Sequence, residues 1–305
     1  MSLLAVGTVA FDTIETPYGK AEMVIGGACT YISWAASYFT SEIHLVSVVG
    51  DDFPSDELQQ MEARGINLDG LDIKKGQKSF FWAGKYHSNM NERTTLATDL
   101  NVLADFEPIV PQKARSADFV MLGNLTPAIQ LSVIDQLDGS QKMIVLDTMN
   151  YWMDSAMDEL KKVLKRIDVL TINDEEARQL SGEHSLVKAA EVILTMGPKV
   201  LVVKKGEHGA LLFQGSDIFF APALPLAEVF DPTGAGDTFA GGFTGYLAKT
   251  GDYSPANMRR AIIAGSAMAS FCVEDFSLNR LKTLGSEEIN QRINKFRALV
   301  HFDTF

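Results

Sequence analysis

The run Phe230-Asp231-Pro232-Thr233-Gly234-Ala235-Gly236-Asp237-Thr238-Phe239 sets two carboxylates around a glycine-rich turn. Pro232 can continue neither a ladder nor a helix interior, so it marks a turn. Gly234 and Gly236 permit left-handed backbone and close approach of a ligand. Beyond Asp237, Phe239, Phe243, Tyr246 and Leu247 recur at helical spacing. A turn that feeds a helix leaves free N–H groups at the helix start, and with the helix dipole these form an anion site suited to phosphate. Asp237 stands at its mouth. A carboxylate there is repelled by the ligand unless it has a task, such as taking a proton from an attacking hydroxyl. Taken alone, Asp237 also fits a helix cap, with the glycines making only a tight turn. Gly241 and Gly242 lie inside the helix, where each costs about 1 kcal/mol relative to alanine, so close packing or a ligand is expected there.

The elements that position this turn are legible as a pattern. Leu3 to Val9, Ile43 to Val49, Phe119 to Leu122, Met143 to Leu146, Val169 to Ile172 and Lys199 to Val203 read as buried strands. Pro127 to Leu137, Trp152 to Leu164, Met258 to Val273 and Ser286 to Val300 read as helices. Strands alternating with helices predict parallel βαβ units and an α/β fold. Polar groups gather just past strand ends, at Asp147-Thr148-Met149-Asn150 and at Asn173-Asp174-Glu175-Glu176, where open sheets bind ligands. Asn173 and Glu176 also fit a helix start, as cap and first-turn acid. Asp12 suits a turn former in a loop after the first strand, and Asp52 the capping region of a helix through Leu58 and Met61. Ser79 to Tyr86 and Asn91 to Leu96 are strand-like, and Phe80, Trp82 and Tyr86 share one face.

The chain has 305 residues, 46% hydrophobic and 22% charged, with net charge −12. That supports a large core and disfavours nucleic acid and anionic membrane as partners. Positive potential for a phosphate donor must then come from backbone dipoles, a few lysines and arginines, and a metal ion. Cys29 and Cys272 have no metal-ligand spacing and read as buried free thiols. Met1 to Gly7 lacks a basic leader region, no apolar run is long enough to span a membrane, and a cytoplasmic location is expected. The P-loop, the full dinucleotide fingerprint, C-x-x-C, H-E-x-x-H and G-x-S-x-G are all absent.

The long run from Asp231 to Phe243 resembles the second signature of the ribokinase-like (PfkB) family of small-molecule kinases. The likeness extends in order through Gly7 to Asp12, Gly26-Gly27, Asn173-x-x-Glu176 and Asp231 to Asp237. It implies one three-layer αβα domain over residues 1–305, with a mostly parallel sheet and a small β lid at about 13–23 and 78–98. It implies Asp237 as catalytic base, with the amides of Gly234, Ala235, Gly236 and Asp237 as anion hole. Asp12, Gly26, Gly27, Tyr31 and Asp52 would meet the acceptor, and Tyr31 departs from the asparagine common in relatives. Asn173 and Glu176 would act through Mg²⁺. Lys204, Lys205, Gly206, Gly209 and Thr233 would line the ATP side, and the helix from Met258 would wall the adenine pocket. Asp231 with Glu274 to Ser277 marks the place of a monovalent cation, without the usual Gly-rich turn. The aromatic stripe fits the core of a lid or of a lid-mediated homodimer better than a base-stacking platform. Arg93 fits equally a phosphate contact and a surface pair with Glu92.

The activity so implied is ATP-dependent phosphoryl transfer to a hydroxyl of a sugar or nucleoside. Two rivals remain at this point: a metabolite-binding regulator on the same fold, and a kinase that uses pyrophosphate or ADP as donor.

Overall fold

The computed structural model describes residues 1–301 and 303. The strands are β1 (Leu3–Val6), β2 (Ala10–Thr16), β3 (Gly19–Gly26), β4 (Ile43–Gly50), β5 (Ile66–Lys74), β6 (Phe80–Tyr86), β7 (Arg93–Asp99), β8 (Phe119–Leu122), β9 (Met143–Asp147), β10 (Val169–Asn173), β11 (Val200–Lys204), β12 (Ala210–Gln214) and β13 (Asp217–Ala221). The helices are α1 (Ala28–Ala36), α2 (Ser55–Ala63), α3 (Pro127–Gln136), α4 (Asn150–Ser155), α5 (Met157–Leu164), α6 (Asp174–Ser181), α7 (Leu186–Leu194), α8 (Ala235–Thr250), α9 (Pro255–Cys272), α10 (Asn279–Lys282) and α11 (Ser286–Val300).

Nine strands form the central sheet in the order β13-β12-β11-β10-β9-β8-β1-β4-β5, parallel from β5 to β11, with β12 and β13 antiparallel at one edge. Strand alternation sends neighbouring side chains into two different cores. Leu3 and Ala5 join the core that also holds Ile32, Phe243 and Met268; Leu4 and Val6 join the one that holds Val133, Leu160 and Ile193. Helices therefore cover both faces, giving three layers. β2, β3, β6 and β7 form a second sheet in the order β3-β2-β6-β7.

Several local expectations shift. The first strand ends at Val6 rather than Val9, because Thr8 turns away to receive α1: its Oγ1 accepts from the Ala28 amide at 3.0 Å and its carbonyl from the Cys29 amide at 2.9 Å. Asp12 consequently lies inside β2, not in a loop. The second small sheet is also larger than expected, since β2 and β3 run from Ala10 to Gly26 and β7 reaches Asp99. The helix expected over Trp152 to Leu164 breaks at Ala156 (φ −146°, ψ 39°) into α4 and α5. Lys204 is the last residue of β11 rather than the first of a loop.

The glycines inside α8 answer to packing. A Cβ at Gly241 would sit 2.2 Å from the Ile32 carbonyl oxygen, one at Gly245 2.7 Å from the Ala36 Cα, and one at Gly242 2.9 Å from Met268 Cγ. α8 therefore lies against α1 and α9 at a distance no side chain would allow. Among the described residues, no helix is long and apolar enough to cross a membrane.

Candidate active site

α8 is capped by Gly234, whose φ of +74° ends the turn; of the amides expected as an anion hole, that of Ala235 is already taken, donating to the Pro232 carbonyl at 3.2 Å, because the turn closes on itself there. Asp231 holds that turn from below. It is buried; one carboxylate oxygen accepts from the Thr233 amide at 2.8 Å and the other from the Ser277 amide at 3.1 Å. The second bond ties Asp231 to the 274–277 turn, the place named above for a monovalent cation. Asp237 is in the first turn of α8. Burial, followed by the nearby Asp147 carboxylate, raises its pKa to about 7, against the pull of Lys204 and Arg93.

The sheet supplies the other charges from its C-terminal edge. Asp147 ends β9, Asn173 ends β10 and Lys204 ends β11, with Asn173 and Lys204 in register. The Lys204 ammonium donates to Asp147 Oδ2, is only 17% exposed, and would stand 3.2 Å from a Cβ on Gly236. Burial alone would depress its pKa, but Asp147 and Glu176 more than offset that and the pKa is raised. Asn173 and Glu176 form a capping box: Asn173 Oδ1 accepts from the Glu176 amide and Glu176 Oε2 from the Asn173 amide, each at 2.8 Å. Burial raises Glu176 to about 7, opposed by Lys204. So the carboxylate expected at the metal also serves as half of a helix cap.

Asp12 approaches from the small sheet, and burial, then Asp231 and Asp237, raises it to about 8. Its carboxylate lies over Gly26, where a Cβ would come within 2.0 Å of Oδ2, and the Gly27 backbone partly offsets the rise in its pKa. Gly27 has φ +92°, and a Cβ there would meet the Thr8 carbonyl oxygen at 2.5 Å. The glycine pair therefore makes room for Asp12 and for the Thr8 backbone. Tyr31 lies beneath the turn: it is 1% exposed, and a Cβ on Gly234 would meet its ring at 2.5 Å. Its hydroxyl has no hydrogen-bond partner. Burial pushes this phenol well above its usual pKa.

β6 pairs in parallel with β2, placing Trp82 beside Asp12, and the outward neighbours Lys85 and Glu15 pair as ions at 2.6 Å. Trp82, Gly84 and Tyr86 thus share the Asp12 face and look at the body of the protein. Trp82 folds over Gly84, where a Cβ would meet its ring at 2.1 Å. The Tyr86 hydroxyl accepts from Thr233 Oγ1 at 3.3 Å. Of the aromatic stripe, Trp82 therefore stands beside Asp12 and Tyr86 beside Thr233.

The β6–β7 ladder slips between Ala83 and Gly84, which leaves Leu96 as an extra residue and sets Arg93 opposite Tyr86. Without that bulge Thr94 would face inward and Arg93 outward. Arg93 lies 6.0 Å from the centre of the Trp82 ring and lowers the pKa of both Asp237 and Glu176. No ion pair joins it to Glu92 among the described residues.

Asp52, by contrast, is exposed and bonds Ser79, through its amide at 2.8 Å and its hydroxyl at 2.6 Å. It anchors the start of β6 and is not drawn into the cluster. Lys205, Gly206 and Gly209 form the short turn between β11 and β12: the Lys205 amide donates to the Gly209 carbonyl, and the side chain of Asn91, from the tip of the β6–β7 hairpin, lies over Gly206. The Asp147–Lys204 pair and the inward face of Trp82 and Tyr86 were not read from the sequence. The available signal was that Asp147 and Lys204 each end a strand of one parallel series.

The family model of the pfkB carbohydrate kinases matches residues 2–283. The chain belongs to that family. It is a kinase, a phosphotransferase. Among curated pfkB relatives, it is 29% identical over 249 residues to a cytidine kinase of Thermococcus kodakarensis, covering 80% of this chain and 87% of that protein. It is 27% identical over 289 residues to a nucleoside kinase of Methanothermobacter thermautotrophicus, covering 90% and 89%. Its fold matches the structure of Arabidopsis thaliana ribokinase, solved with ribose and ATP, with a TM-score of 0.75 at 20% identity over 96% of this chain and 98% of that one. The ribokinase fold is therefore the fold of this chain, and the regulator alternative gives way to an enzyme.

Proposed function

We propose that this kinase transfers the γ-phosphoryl group of ATP to a hydroxyl of a small sugar or nucleoside, with nucleosides the first acceptors to try. The observation that carries the reading is Asp237 in the first turn of α8, with the Lys204 ammonium beside the neighbouring Gly236 and a pKa of about 7. A base at that pKa is ionised often enough to act near neutrality and strong enough to accept an alcohol proton as attack begins. Asp237 takes the proton of the acceptor hydroxyl; the amides of Gly234, Gly236 and Asp237 and the Lys204 ammonium meet the charge on the transferred group. Asp12 accepts hydrogen bonds from the acceptor, and Trp82 lies beside it on the same face. The cytidine and nucleoside kinase relatives, together with this ring, favour a nucleoside.

Among the described residues no group of three or more His, Cys, Asp or Glu side chains could hold a metal ion alone. Mg²⁺ fits here in its usual way, held by phosphates, waters and few protein oxygens. Glu176 would hold it, with Asn173 fixing that carboxylate, and its chemistry is neutralisation of phosphate charge. Lys205, Gly206, Gly209 and Thr233 line the donor side of this reading. A cytoplasmic location, where cysteines such as Cys29 and Cys272 stay reduced, completes it. So does pairing of two copies through the lid, which exposes Met23 and Leu96.

The test is ADP release from Mg-ATP with cytidine, uridine, adenosine, inosine, ribose and fructose, with pyrophosphate and ADP as alternative donors. Asp237→Asn is run in parallel. Turnover on one acceptor, reduced about 10²–10⁴-fold in the variant, is expected. An Asp237→Asn enzyme with wild-type kcat would end the mechanism.

A further inference from the structure

We propose that Tyr86 is a positioning residue that ties closure of the small sheet to the phosphoryl-binding turn through the Thr233 hydroxyl. The inference deepens the kinase reading above and rests on it.

Residues 80–99 form a hairpin that pairs on itself and with β2. Among the described residues, the bond from Thr233 Oγ1 to the Tyr86 hydroxyl is the sole hydrogen bond from this hairpin to the body outside its own sheet. Its two ends differ in freedom. The Thr233 backbone is fixed on both sides: its amide donates to Asp231, and its carbonyl accepts from Cys272 Sγ at 3.5 Å. Thr233 also directly precedes Gly234, which sets the helix start. Tyr86 belongs to the hairpin, yet it is 6% exposed while most of β7 beside it is open to solvent. Burial raises its phenol to about 12, so it stays neutral and able to bond across the working pH range. Farther out, the Asn91 side chain lies over the turn after β11, where a Cβ on Gly206 would stand 3.0 Å from its Oδ1. One hairpin therefore spans from the acceptor-side Asp12 to both turns that would face the donor, and its polar link is the Tyr86 hydroxyl.

A hairpin so held excludes water from the phosphoryl group. If the link is lost, water replaces the acceptor as nucleophile: its oxygen bonds the γ-phosphorus, the bond to the ADP oxygen breaks, and orthophosphate and a proton leave with ADP. The link thus sets the ratio of hydrolysis to transfer rather than either step alone.

The experiment measures ADP release from Mg-ATP without acceptor, and with whichever panel acceptor supports turnover. It is run on wild type, Tyr86→Phe, Thr233→Val, Thr233→Ser and the Phe/Val double variant. Amide exchange at residues 233–237 is followed in the same samples with Mg-ATP. Tyr86→Phe is expected to raise the hydrolysis-to-transfer ratio and to speed exchange about three- to tenfold, the factor carried by one ordinary hydrogen bond. Thr233→Val should match it, Thr233→Ser should restore wild-type behaviour, and the double variant should add nothing. Additive effects, or unchanged exchange in Tyr86→Phe, overturn the proposal. A wild type that turns over no acceptor counts against the kinase reading instead, and amide exchange then decides the link by itself.

Discussion

The turn Thr233–Asp237 and the hairpin Phe80–Asp99 face each other across the cleft and are built in opposite ways. The turn is held by the Asp231 carboxylate, the Tyr31 ring under Gly234, and an α8 whose glycines let it press close against α1 and α9. The hairpin has an exposed outer strand and one side-chain bond to the body. Stabilising charge that develops in a transition state requires dipoles already in place, whereas letting substrates in requires an element with little holding it shut. Their titratable groups differ too: the turn carries Asp237, raised to about 7, while the hairpin contributes a phenol near 12.

The largest test of this contrast is pH. As the proposed base, Asp237 would act only when ionised, and its pKa is raised to about 7, so kcat/KM for Mg-ATP should fall as pH drops through 7, by about tenfold per unit below it. Lys204 lowers that pKa, so Lys204→Met should move the midpoint upward, while Tyr86→Phe should leave it in place. Stability follows the buried acids Asp12, Glu176 and Asp237. Their folded pKa values exceed the unfolded ones, so the native state binds more protons between about pH 4 and 8 and loses stability as pH rises across that window. Asp12→Asn should flatten the fall in melting temperature.

Next in size is Gly241→Ala. Its Cβ would lie 2.2 Å from a backbone oxygen of α1, so the two helices must separate, at a cost of about 1–3 kcal/mol. A lower melting temperature with the turn displaced, read as a rise in donor KM, is expected; a wild-type melting temperature would mean that the interface yields easily. Arg93→Ala probes the other side. It removes the positive charge that the hairpin sets near Asp237 and Glu176, so kcat should drop about tenfold, the size of one charge-assisted contact. The melting temperature should stay unchanged, since Arg93 is exposed and outside the core.

The contrast also governs what could be read in advance. The turn was legible because its conformation demands particular residues in consecutive positions: Pro232, Gly234 at φ +74°, and Asp237 one turn later. The parallel strands and the polar groups at their ends were legible for the same local reason. The hairpin was visible as two strands, but the direction of its aromatic stripe depended on the parallel register of β6 with β2, a pairing between distant segments. The inward turn of Arg93 depended on a single-residue slip at Leu96, which no composition or period announces. The break at Ala156 was hidden by helical spacing that runs on through it.

Tyr31→Phe is the smallest change and divides the two regions most finely. The Tyr31 ring belongs to the fixed region, since it supports Gly234, but its hydroxyl is sealed in the protein without a partner. A buried hydroxyl in that state destabilises by about 1–3 kcal/mol relative to one that is satisfied, and phenylalanine keeps the ring while removing the group. Without any bound molecule, Tyr31→Phe should therefore raise the melting temperature by a few degrees. If the hydroxyl is retained because an acceptor bonds it, the same variant should raise acceptor KM several-fold and leave kcat near wild type. Higher stability with weaker acceptor binding would place Tyr31 among the acceptor contacts. Higher stability with unchanged KM would confine it to support of the turn, and acceptor recognition would then fall to Asp12 and the hairpin.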